Sequence, residues 1–349
     1  MVAGGFPEAW FVLVGQTDVT HPLCAFPEVQ VGNDQTDRAA VLSVDRLAVV
    51  SGRNERIVVD EVAHGQVVRV VAVAGDQGEV VVADVCVFEQ RRDADTLPFG
   101  IEFRRSLQVG LDQVFALYST DAVVVIEDDL IMAPDALQFF DACQPLLAQD
   151  PSVWAVSAWN DNGQPEFVFD AERVARSDWF PNLGVLISRN LWAELERDWP
   201  EIYWDDWLRD PTRRRGRVTL RPEISRVRHT GAAGSSLGQY FDEHTGRVML
   251  PRQPKGFKKL DVATLHMDAY DGIYLERVEA AAPVTIDDVG DASGDVRVSY
   301  RDIEEFSALA TRIGLMADVR HGTPRTAYRG IVESRRGEDL LFLAPSHLT

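Results

Sequence analysis

Four branched apolar residues lead directly into three carboxylates in the run Val123-Val124-Val125-Ile126-Glu127-Asp128-Asp129. A continuous apolar run of this length is typical of a parallel strand that is covered on both faces. Open α/β sheets bind their ligands just beyond the carboxyl ends of such strands. We therefore expect an α/β fold with Glu127, Asp128 and Asp129 at a ligand-binding edge of its sheet.

The three adjacent acids repel one another unless a cation or the hydrogen-bond donors of a ligand offset their charge. A hard divalent metal ion is a suitable partner, because such ions prefer oxygen ligands. A solvated acidic turn is the other interpretation. The acids alone leave both open, since short motifs match by chance.

The chain has 349 residues, of which 46% are hydrophobic, and a formal charge of −20. This length buries a substantial core and predicts two or three domains. The strong negative charge argues against nucleic acid as a partner. No run approaches the roughly 20 apolar residues of a membrane helix, and three cysteines without metal or disulfide spacing give no sign of an oxidising compartment. We therefore expect a soluble, cytoplasmic protein without a membrane segment.

Valine-rich stretches with a period of two mark the N-terminal region as β-rich. The clearest are Val67–Val73 and Val80–Val85, which a turn-like glycine segment joins. The charged stretch that follows resembles a linker. The predicted domains are a β domain at 1–93, an α/β core at 94–250 and a C-terminal β-containing domain at 251–349.

Helical patterns begin after the predicted linker. One runs from Ile101 to Tyr118, and two more lie near 134–149 and 189–198. Ser188 is the predicted N-cap of the last one. In the C-terminal region, Asp295–Tyr300 alternates as a strand does.

Three further motifs follow the acidic run. The segment 157–163 is a polar loop, and Gly231–Gly238 is a run of small residues whose N–H groups suit a diphosphate. Trp204-Asp205-Asp206-Trp207 brackets two carboxylates with indoles, which favours a raised pKa and general-base chemistry. Each motif also has a structural interpretation, in which the indoles are core aromatics, Asp206 caps a helix and the small residues form a turn.

Taken in order, these motifs resemble the family 13 N-acetylglucosaminyltransferases, of the alpha-1,3-mannosyl-glycoprotein and protein O-mannose types. The resemblance covers about residues 100–348. Besides the motifs above, the matching segments are Trp192–Glu196, Arg221–Arg226, Gly238-Gln239 and Tyr328–Val332. It implies a GT-A fold and an inverting transfer of GlcNAc from UDP-GlcNAc to a mannose hydroxyl of a glycan or glycoprotein, in a β-1,2 linkage and with Mn²⁺ as cofactor.

The resemblance also assigns roles on the donor side. Asp129 matches the direct Mn²⁺ ligand. Glu127 and Asp128 are similar to the residues that hold the sugar and ribose hydroxyls of the donor. Ser236 matches the segment that covers the nucleotide, and Leu183 lies in a donor-side loop.

On the acceptor side, Asp205 matches the catalytic base. In the family this residue takes the proton of the acceptor hydroxyl while that oxygen attacks the anomeric carbon opposite the leaving UDP. One metal for a diphosphate leaving group and one base for the nucleophile are consistent with inversion.

The sequence departs from the family in two places. The βαβ segment that binds uridine before the helix at 101–118 has no evident counterpart. Its nearest imitation is Leu47–Asn54, and a family histidine falls on Ser106, so the GT-A core is expected to be truncated or rebuilt. Two family cysteines fall on Ala155 and Thr219, so the disulfide that the resemblance implies is absent.

Residues 47–89 are similar to the β-rich stem domain of the O-mannose enzyme, which binds carbohydrate, although an unrelated β sandwich fits as well. Three hypotheses follow for the chain. It is a transferase, or a catalytically impaired glycan-binding protein without a complete uridine pocket, or a rearranged chain that exposes an open sheet edge.

Overall fold

A computed structural model describes the strand backbones at 9–16, 40–43, 46–48, 67–74 and 79–90, and residues 107–112, 114–116, 120–127, 130–230, 239–254, 257 and 260–348. The strands are β1 (Ala9–Gln16), β2 (Ala40–Ser43), β3 (Arg46–Ala48), β4 (Val67–Ala74), β5 (Glu79–Gln90), β6 (Ala122–Glu127), β7 (Leu130–Met132), β8 (Val153–Ser157), β9 (Val174–Ser177), β10 (Val185–Ser188), β11 (Val218–Pro222), β12 (Val227–His229), β13 (Ala282–Pro283), β14 (Val296–Tyr300), β15 (Val319–Arg320), β16 (Thr323–Pro324), β17 (Val332–Arg336) and β18 (Asp339–Pro345).

The helices are α1 (107–112 and 114–116), α2 (Ala136–Gln149), α3 (Arg189–Leu195), α4 (Trp204–Arg209), α5 (Pro211–Arg214), α6 (Met267–Ala280) and α7 (Ile303–Ile313). Short 3₁₀ turns lie at Glu196–Asp198, Thr245–Arg247, Val262–Leu265 and Ser346–Leu348.

Strand β6 lies inside an eight-stranded sheet of order β4-β5-β1-β6-β10-β8-β11-β9. Its side chains alternate between two apolar clusters. Val124 and Ile126 belong to the cluster that contains α2, and Val123 and Val125 to the cluster that contains α1. The prediction of an apolar strand covered on both faces is therefore confirmed. Its pairing is mixed, since β6 is parallel to β1 and antiparallel to β10.

The N-terminal strands extend the same sheet. The predicted strands at Val67–Val73 and Val80–Val85 are present within β4 and β5, which form an antiparallel pair. Strand β5 is parallel to β1, and β1 in turn is parallel to β6. The domain boundary at residue 93 and the stem-like, carbohydrate-binding role stay predictions.

A strand that the sequence patterns did not identify lies beside β6 ahead of α1. Strand β1 occupies that position, because its sequence Ala9–Gln16 is an apolar run that the period-two pattern did not single out. The segment Leu47–Asn54 is the nearest imitation of the uridine-binding strand of the family. Its first two residues belong to β3 in the small sheet β12-β7-β2-β3, and the others lie outside the described residues. Strand β6 is therefore paired on both sides, with β1 and with β10, and is not an edge strand.

The helix predictions are confirmed. Helix α1 lies within the predicted range 101–118, and α2 matches the prediction near 134–149. Helix α3 begins after Ser188, whose side chain accepts a hydrogen bond from the Leu191 N–H at 3.2 Å. The predicted strand at Asp295–Tyr300 is β14.

The C-terminal sheet, of order β13-β14-β18-β17, meets the core at a buried group of charges that we name the interface ion cluster: Arg173, Glu223, Glu333 and Arg335. Arg173 donates two hydrogen bonds of 2.7 Å to Glu333, and Arg335 lies 2.9 Å from Glu223. Burial by itself raises the pKa of Glu333, but the charge and hydrogen bonds of Arg173, together with the charges of Arg221 and Arg335, outweigh it, and the pKa lies below the ordinary value.

Candidate active site

The acidic run begins at the carboxyl end of β6 in the main sheet. Glu127 is the last residue of β6 and is partly exposed. Asp128 and Asp129 lie outside the described residues, and the structure continues at Leu130 in β7. Strand β7 is antiparallel to β12, with Leu130 opposite His229.

This pairing places the residues that precede the glycine-rich segment beside Leu130. Residues opposite each other in an antiparallel pair have Cα atoms about 4.5–5.5 Å apart. His229 therefore lies next to the residue that follows the acidic run, and the chain enters Gly231–Gly238 only two residues later. Ser236 belongs to this segment, which the structure does not describe. Thr230, the last described residue before this segment, thus follows a strand that is paired directly after the acidic run.

Leu183 lies at the same end of the sheet, just before the neighbouring strand β10. Val185 of β10 lies opposite Val125 of β6 in an antiparallel pair. Two residues before Val185 comes Leu183, and two residues after Val125 comes Glu127, so both lie at one end of the sheet. The Leu183 carbonyl accepts a hydrogen bond of 3.2 Å from the Ser157 hydroxyl.

The polar loop at 157–163 is buried and joins distant segments. Asn160 donates to the Glu223 carbonyl at 2.6 Å. Asn162 donates to the Thr326 hydroxyl at 3.1 Å and accepts from the Met316 N–H at 2.8 Å. These contacts pair the side chains of Asn160 and Asn162 within the protein, so the two asparagines support the fold.

The Trp-Asp-Asp-Trp motif forms the start of α4. The Trp204 indole is buried and stacks on Trp199 at 5.7 Å, and Trp207 packs against the same ring at 5.9 Å. The carboxylates remain accessible, with side-chain exposures of 27% for Asp205 and 42% for Asp206. The indoles are therefore core aromatics, and they do not enclose the two acids.

Asp205 contacts a buried arginine one helical turn away. Arg209 donates from Nη1 to the Asp205 carboxylate at 2.8 Å, and its side chain is 8% exposed. Burial lowers the pKa of the Arg209 guanidinium, while the neighbouring Asp205 charge opposes that shift. The contact orients a carboxylate whose remaining surface is open.

Asp206 contacts the C-terminal region. His321, between β15 and β16, places Nε2 3.4 Å from the Asp206 carboxylate. Its backbone φ is +49°, in the left-handed region that non-glycine residues seldom adopt. Residues far apart in the sequence therefore meet beside α4.

A metal site at the acidic edge depends on residues 128 and 129. Among the described residues, no group of three His, Cys, Asp or Glu side chains is placed to hold a metal ion. The donor chemistry nevertheless fits, because Glu127 and the two aspartates after it supply the carboxylate oxygens that hard divalent ions prefer.

Comparison with known proteins identifies the family of this chain. The model of the GNT-I family matches residues 96–348. This chain belongs to the GNT-I family. A curated relative is the alpha-1,3-mannosyl-glycoprotein 2-beta-N-acetylglucosaminyltransferase of Arabidopsis thaliana, which is 37% identical over 235 residues. The aligned region covers 66% of this chain and 53% of the relative, so the chain spans about half the length of that protein.

The two positions that the resemblance matches to family cysteines are neighbours in the main sheet. Ala155 of β8 and Thr219 of β11 are paired across parallel strands. The Thr219 hydroxyl accepts a hydrogen bond of 3.2 Å from the Trp154 indole, so a side-chain contact joins the two strands here. No helix in the part of this GNT-I family chain that the structure describes is long and apolar enough to span a membrane.

Sequence reasoning missed Arg209 and two residues near it, His321 and Asn182, of which Asn182 accepts a hydrogen bond from Arg209. Arg209 follows Asp205 by four residues, a spacing that places both on one side of a helix, so a signal for this pair was present in the GNT-I sequence. His321 lies 115 residues from Asp206, and no sequence periodicity connects them.

Proposed function

We propose that this chain is an inverting N-acetylglucosaminyltransferase that moves GlcNAc from UDP-GlcNAc to a mannose hydroxyl of a glycan or glycoprotein, forming a β-1,2 linkage with Mn²⁺ as cofactor. Membership of the GNT-I family and the activity for which the Arabidopsis relative is named support the class of reaction. The observation that carries the proposal is that Glu127 and Leu183 lie at one end of the main sheet, while His229, two residues before Gly231, pairs with Leu130 just after the acidic run.

On the donor side, the proposed binding groups are carboxylates and a hydroxyl. Glu127 and Asp128 accept hydrogen bonds from the sugar and ribose hydroxyls of the donor. Ser236 lies in the segment over the diphosphate, and Leu183 contacts the donor from the loop before β10. Asp129 would hold Mn²⁺, which when bound neutralises charge on the diphosphate leaving group.

On the acceptor side, Asp205 is the proposed general base. The acceptor oxygen attacks the anomeric carbon and forms the new C–O bond, while the bond from that carbon to the β-phosphate oxygen breaks. The electron pair of the broken bond leaves with UDP, and the hydroxyl proton passes to the Asp205 carboxylate. Attack opposite the leaving group inverts the configuration, which gives a β linkage from an α-linked donor.

A general base must reach the acceptor hydroxyl, and Asp205 meets this condition better than a buried acid. Its side chain is 27% exposed, and its hydrogen bond from Arg209 occupies one carboxylate oxygen. Asp206, the next residue, lies 3.4 Å from His321 and has only a longer contact, of 4.0 Å, with Arg209. This difference supports the assignment of the base to Asp205.

Calorimetric titration of UDP-GlcNAc tests the donor half of the proposal. We expect binding in the presence of Mn²⁺, and none with a chelator or in Asp129→Asn. The matched control is Asp121→Asn, which changes an exposed aspartate at the opposite end of β6 and leaves binding unchanged.

Two results contradict the donor assignment. Equal binding with and without the metal removes the role of Asp129. A folded protein that binds mannosides and does not bind UDP-GlcNAc is a glycan-binding protein, and the transferase proposal then fails.

A further inference from the structure

Arg209 makes more contacts than an ion pair with Asp205 requires. Its Nε donates to the Phe180 carbonyl at 3.1 Å, and its Nη2 donates to the Asn182 side-chain oxygen at 3.2 Å. Its Nη1 donates to Asp205 at 2.8 Å. One planar guanidinium therefore joins the proposed base to the segment that leads into Leu183.

The flat face of the Arg209 guanidinium also packs against an indole ring. It lies 4.4 Å from the ring centre of Trp179, which is 1% exposed. A second arginine, Arg325, lies 4.9 Å from the same ring and is held by Asp161 and Asp318 at 2.6 and 2.8 Å. With its side chain 8% exposed, Arg209 has little freedom to change rotamer.

Helix α4 cannot orient Asp205 by itself. It has only six residues, and Tyr203 at its N-cap position has φ +52° and makes no capping hydrogen bond through its side chain. Short helices without caps are marginal, and their geometry comes from tertiary contacts. Arg209 is the last residue of the same helix, and its hydrogen bonds to Phe180 and Asn182 supply the tertiary contact that holds Asp205 in place.

We infer that Arg209 is a positioning residue that fixes the Asp205 carboxylate against the donor-side segment 180–183. The inference rests on the proposed function, in which Asp205 is the base and Leu183 contacts the donor. Arg209 touches neither substrate and acts through Asp205. A displacement of about 1 Å in such a group costs on the order of 100-fold in rate, so the contact sets the rate of the chemical step more than it sets substrate binding.

Arg209→Lys tests the inference, because lysine keeps the charge and loses the planar fork that reaches three acceptors. We expect kcat to fall by about 10- to 100-fold, while the KM values for donor and acceptor change by less than about threefold. Asn182→Ala removes one acceptor of Arg209 and leaves Asp205 untouched. We expect a smaller fall in kcat, of about three- to tenfold.

Arg213→Lys is the matched control. Arg213 also covers an indole, that of Trp207 at 4.5 Å, and also binds one aspartate, Asp198 at 2.9 Å. It differs in that Asp198 has no role in the reaction. We expect kcat of this variant to stay within about twofold of the wild-type value.

A double variant separates positioning from a merely structural role. If Arg209 acts through Asp205, then Arg209→Lys in an Asp205→Asn background lowers the residual single-turnover rate by less than about twofold. A structural role predicts the same loss in both backgrounds. Circular dichroism and melting temperature establish that each variant is folded.

Wild-type kcat in folded Arg209→Lys and Asn182→Ala overturns the inference and leaves the proposed function intact. An undiminished loss in the Asp205→Asn background also overturns it. A folded wild-type protein that transfers no GlcNAc overturns the proposed function and this inference together.

Discussion

Two regions of the molecule use the same pairing of arginine and carboxylate for different purposes. In the interface ion cluster, Glu223 accepts hydrogen bonds from two backbone N–H groups and from Arg173 and Arg335, and it is buried. Beside α4, Asp205 accepts one hydrogen bond within the described part of the chain, from Arg209, and is 27% exposed. A saturated carboxylate stabilises the fold, whereas an oriented but open one is available to a substrate.

The comparison predicts its largest effect at the open carboxylate. Asp205→Asn removes the proposed base with little change in volume, so we expect kcat for GlcNAc transfer to fall by about 10²- to 10⁴-fold. Stability is expected to change little, because the side chain is partly exposed. Steady-state kinetics and a melting curve measure both quantities. Asp206→Asn is the adjacent control, and a loss as large as that of Asp205→Asn would remove the distinction between the two acids.

At the saturated cluster we expect the opposite result. Glu333→Gln leaves Arg173 with a weaker partner in a buried site, which costs about 3 kcal/mol in the free energy of unfolding. Urea denaturation measures this, and kcat per folded molecule is expected to stay unchanged. Glu338→Gln, an exposed change on the same hairpin, is the control. A loss of kcat without a loss of stability at Glu333 would contradict the assignment of this cluster to the fold.

The cluster also predicts a dependence of stability on pH. The folded-state pKa of Glu333 lies below its ordinary value of 4.5. Protons therefore bind the unfolded chain more readily, and the stabilisation is fully present above about pH 4.5 and is lost as the pH falls through the folded-state pKa. Asp150 and Asp271 act in the same direction, because their pKa values are also lowered although burial alone would raise them.

Melting temperatures from pH 7 to pH 3 test this dependence. We expect the melting temperature to fall below about pH 4.5, and to fall less steeply in Glu333→Gln than in the wild-type protein. Parallel curves for the two proteins would show that Glu333 does not contribute.

The smallest effect is expected at an exposed pair. Asp198 is 62% exposed and lies 2.9 Å from Arg213, so solvent screens the pair. We expect Asp198→Asn to change the free energy of unfolding by less than about 0.5 kcal/mol, as measured by urea denaturation. A change as large as that of Glu333→Gln would mean that exposure does not separate the two kinds of pair.

The strand-based half of the site could be predicted from the sequence. The apolar run of β6 and the acids at its end are local features. They place Glu127 at the carboxyl end of its strand without knowledge of the strands that pair with it. Helix α3 and its Ser188 cap are local in the same sense. The roles of Asp128, Asp129 and Ser236 stay predictions, because these residues lie outside the described part of the chain.

The other half depends on contacts between distant segments. Arg209 meets Asn182 across 27 residues, and Arg325 meets Asp161 across 164. Strand β1 was missed for a related reason, since its parallel pairing with β6 spans about a hundred residues of sequence. Local periodicity carries no information on such pairings, so the orientation of Asp205 had to come from the structure.

Product analysis tests the central claim most directly. The wild-type protein is incubated with UDP-GlcNAc, Mn²⁺ and a mannoside acceptor, and the product is examined by mass spectrometry and by NMR of its anomeric proton. The account predicts one added GlcNAc in a β linkage to mannose, with UDP released in equal amount. A folded protein that binds the mannoside and forms no product, or one that forms an α linkage, would contradict it.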